Sequence, residues 1–222
     1  MKRLSDWCGD NFSGGRITEL SVYKGDTYKL ELEGGQTFFI NCAIVADYDL
    51  HEGGEMDAEL LEKLQHADKM RKAKKRALYL LGSRMYSYNE LYKKLLPTYG
   101  EEASRAAADA MQEYGYIDDA DYAGKLAEKL IHGKHYGMSK TRWEMQSRGL
   151  DKNLIEDILA EYTDDEIDEL RTKYAEKLSD PDDRRRTVAA LARRGYSYGA
   201  VKRCIEAALA DEEDFDPDEF EE

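Results

Sequence analysis

Apolar and charged positions alternate through the first quarter of the chain. Tyr28, Leu30 and Leu32 interleave with Lys29, Glu31 and Glu33. A period of two places one apolar and one charged face on a strand. Ile17 to Tyr23 and Gln36 to Asn41 flank this segment, and the breaks at Lys24-Gly25-Asp26 and Gly34-Gly35 suit tight hairpin turns. The pattern predicts a three-stranded antiparallel meander. Three short strands are unstable alone, so the meander is expected to lean on a helix within Asp57 to Gln65, whose apolar stripe is Leu60, Leu61 and Leu64.

From about residue 66 onward the period becomes helical. Ser87-Tyr88-Asn89-Glu90 and Thr163-Asp164-Asp165-Glu166 fit a capping box. Asp180-Pro181 places a cap before a first-turn proline. Ser139, Asp151 and Ser197 are further N-cap candidates, because a short side-chain oxygen can accept an orphan backbone N–H. Arg148-Gly149-Leu150-Asp151 is expected to close one helix and open the next, and Arg194-Gly195-Tyr196-Ser197 does the same further on, with Tyr99-Gly100 in the matching earlier place. Glycine suits such corners because a helix often ends on a left-handed residue. Apolar residues stand four before each glycine (Leu96, Met145, Leu191), and others six after (Ala106, Ile155, Val201) and ten after (Ala110, Leu159, Ile205). The match is loose, with room for a one-residue shift in the first unit. Each repeat reads as three short helices, and tandem units of this kind build elongated, curved bodies suited to large partners.

Charge changes this picture in two places. Charged residues make up 36% of the chain and the net charge is −14, a composition that suits long solvated helices. The last twelve residues hold nine carboxylates and no cation, and removing those nine takes the net charge from −14 to −5. Such a tail is expected to be disordered. It reads first as a solvating end, and second as a DNA mimic that lies on the basic residues. Lys69 to Arg76, by contrast, carries six cations in eight residues. No apolar run nears the ~18 residues of a membrane span, and the N-terminus lacks the apolar stretch of a signal peptide. Cys8, Cys42 and Cys204 are few and far apart, as expected of free thiols in a reducing compartment.

The run Ala77-Leu78-Tyr79-Leu80-Leu81 and, after it, Tyr86 to Leu95 resembles the opening of RecX proteins. So does Glu113-Tyr114-Gly115-Tyr116-Ile117-Asp118-Asp119-Ala120-Asp121-Tyr122-Ala123, which enters the second repeat, as do Arg194-Gly195-Tyr196-Ser197-Tyr198 and Val201-Lys202 in the third. The strand-rich leader with Gly34-Gly35 resembles the N-terminal extension of RecX proteins from Gram-positive bacteria. The likeness covers roughly residues 16–210. It implies a regulator with no catalytic activity and no cofactor, in the bacterial cytoplasm, that binds the RecA–DNA filament and restrains recombination and the co-protease activity behind the SOS response. Some family members also bind DNA weakly. The acidic tail and net negative body depart from the more basic pattern of many members, which weakens the case for direct DNA binding more than for RecA binding.

The candidate contacts are the basic residues: Arg71, Lys72, Lys74, Lys75 and Arg76; Lys93 and Lys94; Lys140, Arg142 and Arg148; Arg184, Arg185 and Arg186; Arg193, Arg194, Lys202 and Arg203. Recurring once or more per repeat, they could form a basic track for a filament or a phosphate backbone; singly, each also serves solubility. Most of the 16 tyrosines, and Trp143, are expected in the core. Asp118, Asp119 and Asp121 are expected to serve a helix N-terminus rather than a metal. His132 and His135 lack the third and fourth ligands that zinc needs and are expected in a loop. No phosphate-binding loop, G-x-S-x-G or dinucleotide fingerprint is present.

The expected fold is therefore mainly α, a small antiparallel β-meander followed by three tandem three-helix, helix-turn-helix-like repeats in an elongated curved body. The expected divisions are a disordered N-terminus (1–15), meander plus helix (16–68), repeats at 69–118, 119–163 and 164–210, and a disordered acidic tail (211–222). The expected function is regulation of RecA by a monomer, most simply inhibition. The alternative is a stand-alone DNA-binding helix-turn-helix repeat protein; a metal-dependent nuclease using Asp118 and Asp119 is a third, weaker reading.

Overall fold

The computed structural model describes residues 14–162 and 180–213, together with Leu4, Phe12, Leu170, Lys173, Tyr174 and residues 176–178. The Thr163–Glu166 capping box, Cys8 and most of both termini lie outside the described residues. The chain forms two compact units, residues 1–83 with 92–114, and residues 84–91 with 115–222. It is mainly helical, with one small antiparallel sheet near its N-terminus.

The sheet lies in the first unit and has four strands in the order β3-β2-β1-β4: β1 (Gly15–Lys24), β2 (Thr27–Leu32), β3 (Thr37–Asn41) and β4 (Glu55–Met56). The three expected strands are present, and the hairpin turns fall where the glycines stand. Gly25 and Gly35 both take positive φ, 54° and 76°, which costs glycine little. The fourth strand is a correction: its two residues, paired with Gly15 and Arg16, are too few to show a period. Leu30, Leu32, Phe38 and Ile40 point into the core. On the other face Lys29 bridges Glu19 and Glu31, each at 3.1 Å.

A short helix, α1 (Cys42–Asp47), follows directly, capped by the Asn41 side chain. The long α2 (Ala58–Leu81) starts at Asp57, whose carboxylate accepts the Leu60 N–H. The helix expected at 57–65 and the basic run at 69–76 are thus one helix. Leu61 and Leu64 close the sheet's core, with Leu60 packed beside them. Next comes α3 (Tyr88–Glu113), bent at Gly100, where φ is 73° and ψ is 178°. Here the repeat register needs correcting. Leu96 is 37% exposed, while Leu95, Ala107, Ala110 and Met111 are buried, so Ala110 keeps its expected place and the other buried positions stand one residue further from Gly100 than around the later glycines, the shift for which the first unit left room.

The second unit contains α4 (Asp119–Glu128), a π-helical turn at Lys129–Gly133, α5 (Met138–Ser147), α6 (Lys152–Ala160), α7 (Pro181–Arg193) and α8 (Tyr198–Glu213). Asp151, Asp180 and Ser197 cap helices as expected. Ser139 does not: the cap of α5 is Gly137, and Ser139 lies inside the helix. The reason is a close backbone contact. Gly137 N–H donates to Arg194 O at 2.9 Å and Ser139 N–H to Gly195 O at 3.1 Å, so the corner after α7 caps α5 in place of a side chain. The corner after α5 docks similarly on the start of α3. Ser87 Oγ donates to Arg148 O at 2.5 Å and Asn89 Nδ2 to Gly149 O at 2.9 Å. Gly149 and Gly195 both take positive φ, 76° and 86°. Two corners of the same sequence type thus make the same kind of joint. The helix α8 takes in the first three residues of the acidic tail.

Candidate functional site

The carboxylates and histidines considered for metal chemistry have other engagements. Asp118 Oδ1 accepts the Ala120 and Asp121 N–H groups at 3.0 and 2.9 Å, capping α4. Asp121 pairs with Lys125 at 2.7 Å. Asp119 Oδ1 accepts the Tyr88 N–H at 2.9 Å and so serves the first turn of α3. His132 sits in the π-helical turn, not in a loop, with its ring 5.7 Å from that of Tyr162. His135 follows at φ 54°, beside Lys173. His135 lies past the end of the π-helical turn in a left-handed conformation, so the two histidines do not stand three apart on one helix. Among the described residues no group of three His, Cys, Asp or Glu side chains could hold a metal ion.

Asp119 has a pH consequence. Burial raises its carboxyl above the usual carboxylate range, the Tyr88 N–H opposes this, and Asp118 adds to the rise. Ionisation therefore costs more in the folded state than in the unfolded one. The carboxyl's contribution is intact below the unfolded pKa and is lost as pH rises through the higher folded pKa. Asn keeps the acceptor oxygen and carries no charge. Asp119→Asn is expected to be more stable than the native chain at neutral pH, with the difference vanishing in acid, as denaturant titrations at pH 4 and pH 7 would show.

The basic candidates divide into three groups. Arg71, Lys72 and Lys75 of α2 line a groove of about 320 Å³ with Asp26, Thr27 and Asn41. Lys72 pairs there with Asp68 at 2.5 Å. A second group is spent on the chain itself. Arg142 makes two hydrogen bonds to Glu156, at 2.6 and 2.8 Å, which hold the Glu156 carboxyl below its usual range. Arg184 Nε donates to Leu178 O at 2.6 Å, and Arg194 donates to the Tyr174 hydroxyl at 3.0 Å. Lys140 lies 4.1 Å over the Tyr136 ring, Arg76 lies 5.0 Å over that of Tyr79, and Lys202 is 3.5 Å from Glu206. The third group is exposed and makes no ion pair among the described residues: Lys74, Lys93, Lys94, Arg185, Arg186, Arg193 and Arg203. These are the side chains free to meet a partner.

Arg148 belongs to a site that the sequence did not single out. A cleft of about 320 Å³ in the second unit is lined by Arg84, Met85, Tyr122, Lys125, Leu126, Lys129 and Arg148. Its anchor is Arg84, which donates two hydrogen bonds to Glu90, at 2.9 and 2.7 Å, and lies 3.6 Å over the Tyr86 ring. The Glu90 contacts raise its guanidinium above the ordinary arginine range. Glu90 also lies 3.8 Å from Arg148. The expected capping box is therefore half formed: Ser87 Oγ accepts the Glu90 N–H at 3.1 Å, while the Glu90 carboxylate turns to Arg84. Lys125 and Lys129 were legible as a pair four apart on one face. Arg84, between two helices, gave no periodic signal.

The aromatic residues also divide. Tyr86, Tyr122 and Tyr196 are buried, whereas Tyr79, Tyr114, Tyr116 and Tyr198 are exposed. Trp143 is 63% exposed, which overturns the expectation that it anchors a core. Thr141 and Met145 form the buried face of α5, and Trp143 lies about 200° round the helix from Thr141.

Comparison with known proteins points one way. No family model matches the chain. A protein from Leuconostoc citreum named "Regulatory protein RecX" is 29% identical over 206 residues, 88% of this chain and 77% of that protein. One of the same name from Bacillus velezensis is 26% identical over 213 residues, 89% of this chain and 79% of that protein. In fold, the chain resembles a crystal structure of regulatory protein RecX (TM-score 0.68, 22% identity, 86% of this chain and 98% of that one). It also resembles RecX from Lactobacillus salivarius, with a TM-score of 0.58, 22% identity, and coverage of 65% of this chain and 99% of that one. Relatives of one name, matched along most of the chain, agree with the motifs around Tyr86 to Leu95 and Glu113 to Ala123, and the chain is similar in sequence and in fold to proteins named RecX.

Proposed function

We propose that the chain is a non-catalytic regulator of RecA that binds the RecA–DNA filament and restrains its recombinase, ATPase and co-protease activities, in the bacterial cytoplasm. The observation that carries this reading is the match to proteins named regulatory protein RecX over about nine-tenths of the chain. Two features support it. The exposed, unpaired cations come from both compact units, as suits a partner that offers many weak contacts. The carboxylates and histidines weighed for metal chemistry are held by caps, ion pairs and ring contacts. The mechanism is differential affinity: a ligand that prefers one filament state shifts assembly toward it, and no bond need break. Among the described residues no helix is long and apolar enough to cross a membrane.

Lys93→Glu with Lys94→Glu, and separately Arg185→Glu with Arg186→Glu, test the contact set. Each pair is expected to weaken binding to RecA assembled on single-stranded DNA about ten-fold, measured by fluorescence anisotropy, and to leave the melting temperature unchanged. Equal losses on DNA without RecA, with a steep salt slope, would favour a stand-alone DNA-binding protein instead.

A further inference from the structure

The cleft around Arg84 has a floor of Met85, Leu126 and the Tyr122 ring, and a rim of Arg84, Lys125, Lys129 and Arg148. Two carboxylates answer four cations there: Glu90 holds Arg84 and lies near Arg148, and Asp121 holds Lys125. Lys129 makes no ion pair among the described residues, and Met85 is 40% exposed. The site therefore presents an uncovered apolar floor beneath a net positive rim. Its chemical complement is a large apolar side chain between two carboxylates, because the apolar group covers the floor while the acids meet the rim. An isolated phosphate would leave the floor wet.

This chain carries that complement twice. Residues 211–222 read DEEDFDPDEFEE, with Phe215 between Asp214 and Asp216, and Phe220 between Glu219 and Glu221. The helix that leads into them, α8, belongs to the same compact unit as the cleft. Beyond Glu213, where α8 ends, nine residues can extend roughly 30 Å.

We propose that the acidic tail is the cleft's own occupant, seating Phe215 or Phe220 on Met85 and Leu126 with its carboxylates against Lys125, Lys129 and Arg148. The docked tail withholds Arg148 and Lys129 from any acidic partner, so a partner must displace it. This inference stands apart from the identity of that partner.

The test uses the full chain with p-benzoylphenylalanine in place of Phe215 or Phe220, irradiated at low protein concentration, with cross-links mapped by mass spectrometry. The expected product joins the tail to Met85 or Leu126 of the same molecule. Lys125→Glu combined with Lys129→Glu, both exposed positions, is expected to lower its yield about five-fold without changing the circular dichroism spectrum. Cross-links that scatter, that join two copies or that are indifferent to the charge reversal would overturn the proposal.

Discussion

Gly195→Ala is expected to destabilise the second unit by about 3–5 kcal/mol, seen as a lower denaturant midpoint with α5 the first element to lose hydrogen-exchange protection. Two costs combine. At φ 86° a Cβ is strained wherever it stands. The added carbon would also lie 2.5 Å from Lys140 N and 2.9 Å from Lys140 Cα, and backbone cannot rotate aside as a side chain can. The corner must then part from α5, which breaks the bonds that Gly137 and Ser139 donate to it and leaves the N–H of the buried Gly137 unpaired. Gly137→Ala probes the same joint from the other side without the φ penalty, since Gly137 has φ −72° but its Cβ would fall 2.5 Å from Gly195 O. Gly124→Ala is the control. No atom lies within 4 Å of the added carbon inside α4, so helix propensity should make that change neutral or stabilising by up to about 1 kcal/mol.

The second large effect is expected in the sheet. Phe38→Ala should cost the first unit about 3–5 kcal/mol. Phe38 is fully buried, stands opposite Leu30 in the β2–β3 ladder and meets the Phe12 ring edge-on at 5.9 Å. The cavity would open between a hydrogen-bonded sheet and the packed α2, neither of which can collapse freely into it. The adjacent Phe39 lies on the opposite face against Tyr23, with ring centroids 4.8 Å apart. Phe39→Ala is expected to cost about 1 kcal/mol, and equal effects at the two positions would contradict the strand's facing.

The meander, its two turns and most helix starts were legible because they rest on local chemistry. Alternation at residues 28–33 sets the strand faces, and Asp118, Asp151, Asp180 and Ser197 cap through their own side chains. What was not legible depends on neighbours distant in sequence. Ser139 looked like a cap because the true one, the Arg194–Gly195 backbone, lies more than fifty residues later. Trp143 looked like a core residue by type, yet the face of α5 is chosen by what packs on Thr141 and Met145. The glycine repeat showed the two equivalent corners and left room for a one-residue shift at Gly100, but the choice of Leu95 over Leu96 as the buried residue is made by packing that the sequence alone does not show. For the candidate site, the basic residues were visible as a set. Burial and pairing then separated them, leaving Lys93, Lys94, Arg185 and Arg186 open while Arg142, Arg184 and Arg194 bind their own chain. The Arg84 cleft draws on residues more than sixty positions apart and could be found only once the chain was folded.

The most direct test of the central claim is ATP hydrolysis by the cognate RecA on single-stranded DNA, with this protein titrated below one copy per RecA and its binding to the same DNA measured without RecA. Regulation of the filament requires a clear fall in hydrolysis at substoichiometric amounts, with only weak binding to the bare DNA. Unchanged hydrolysis, together with tight and salt-sensitive binding to bare DNA, would contradict it.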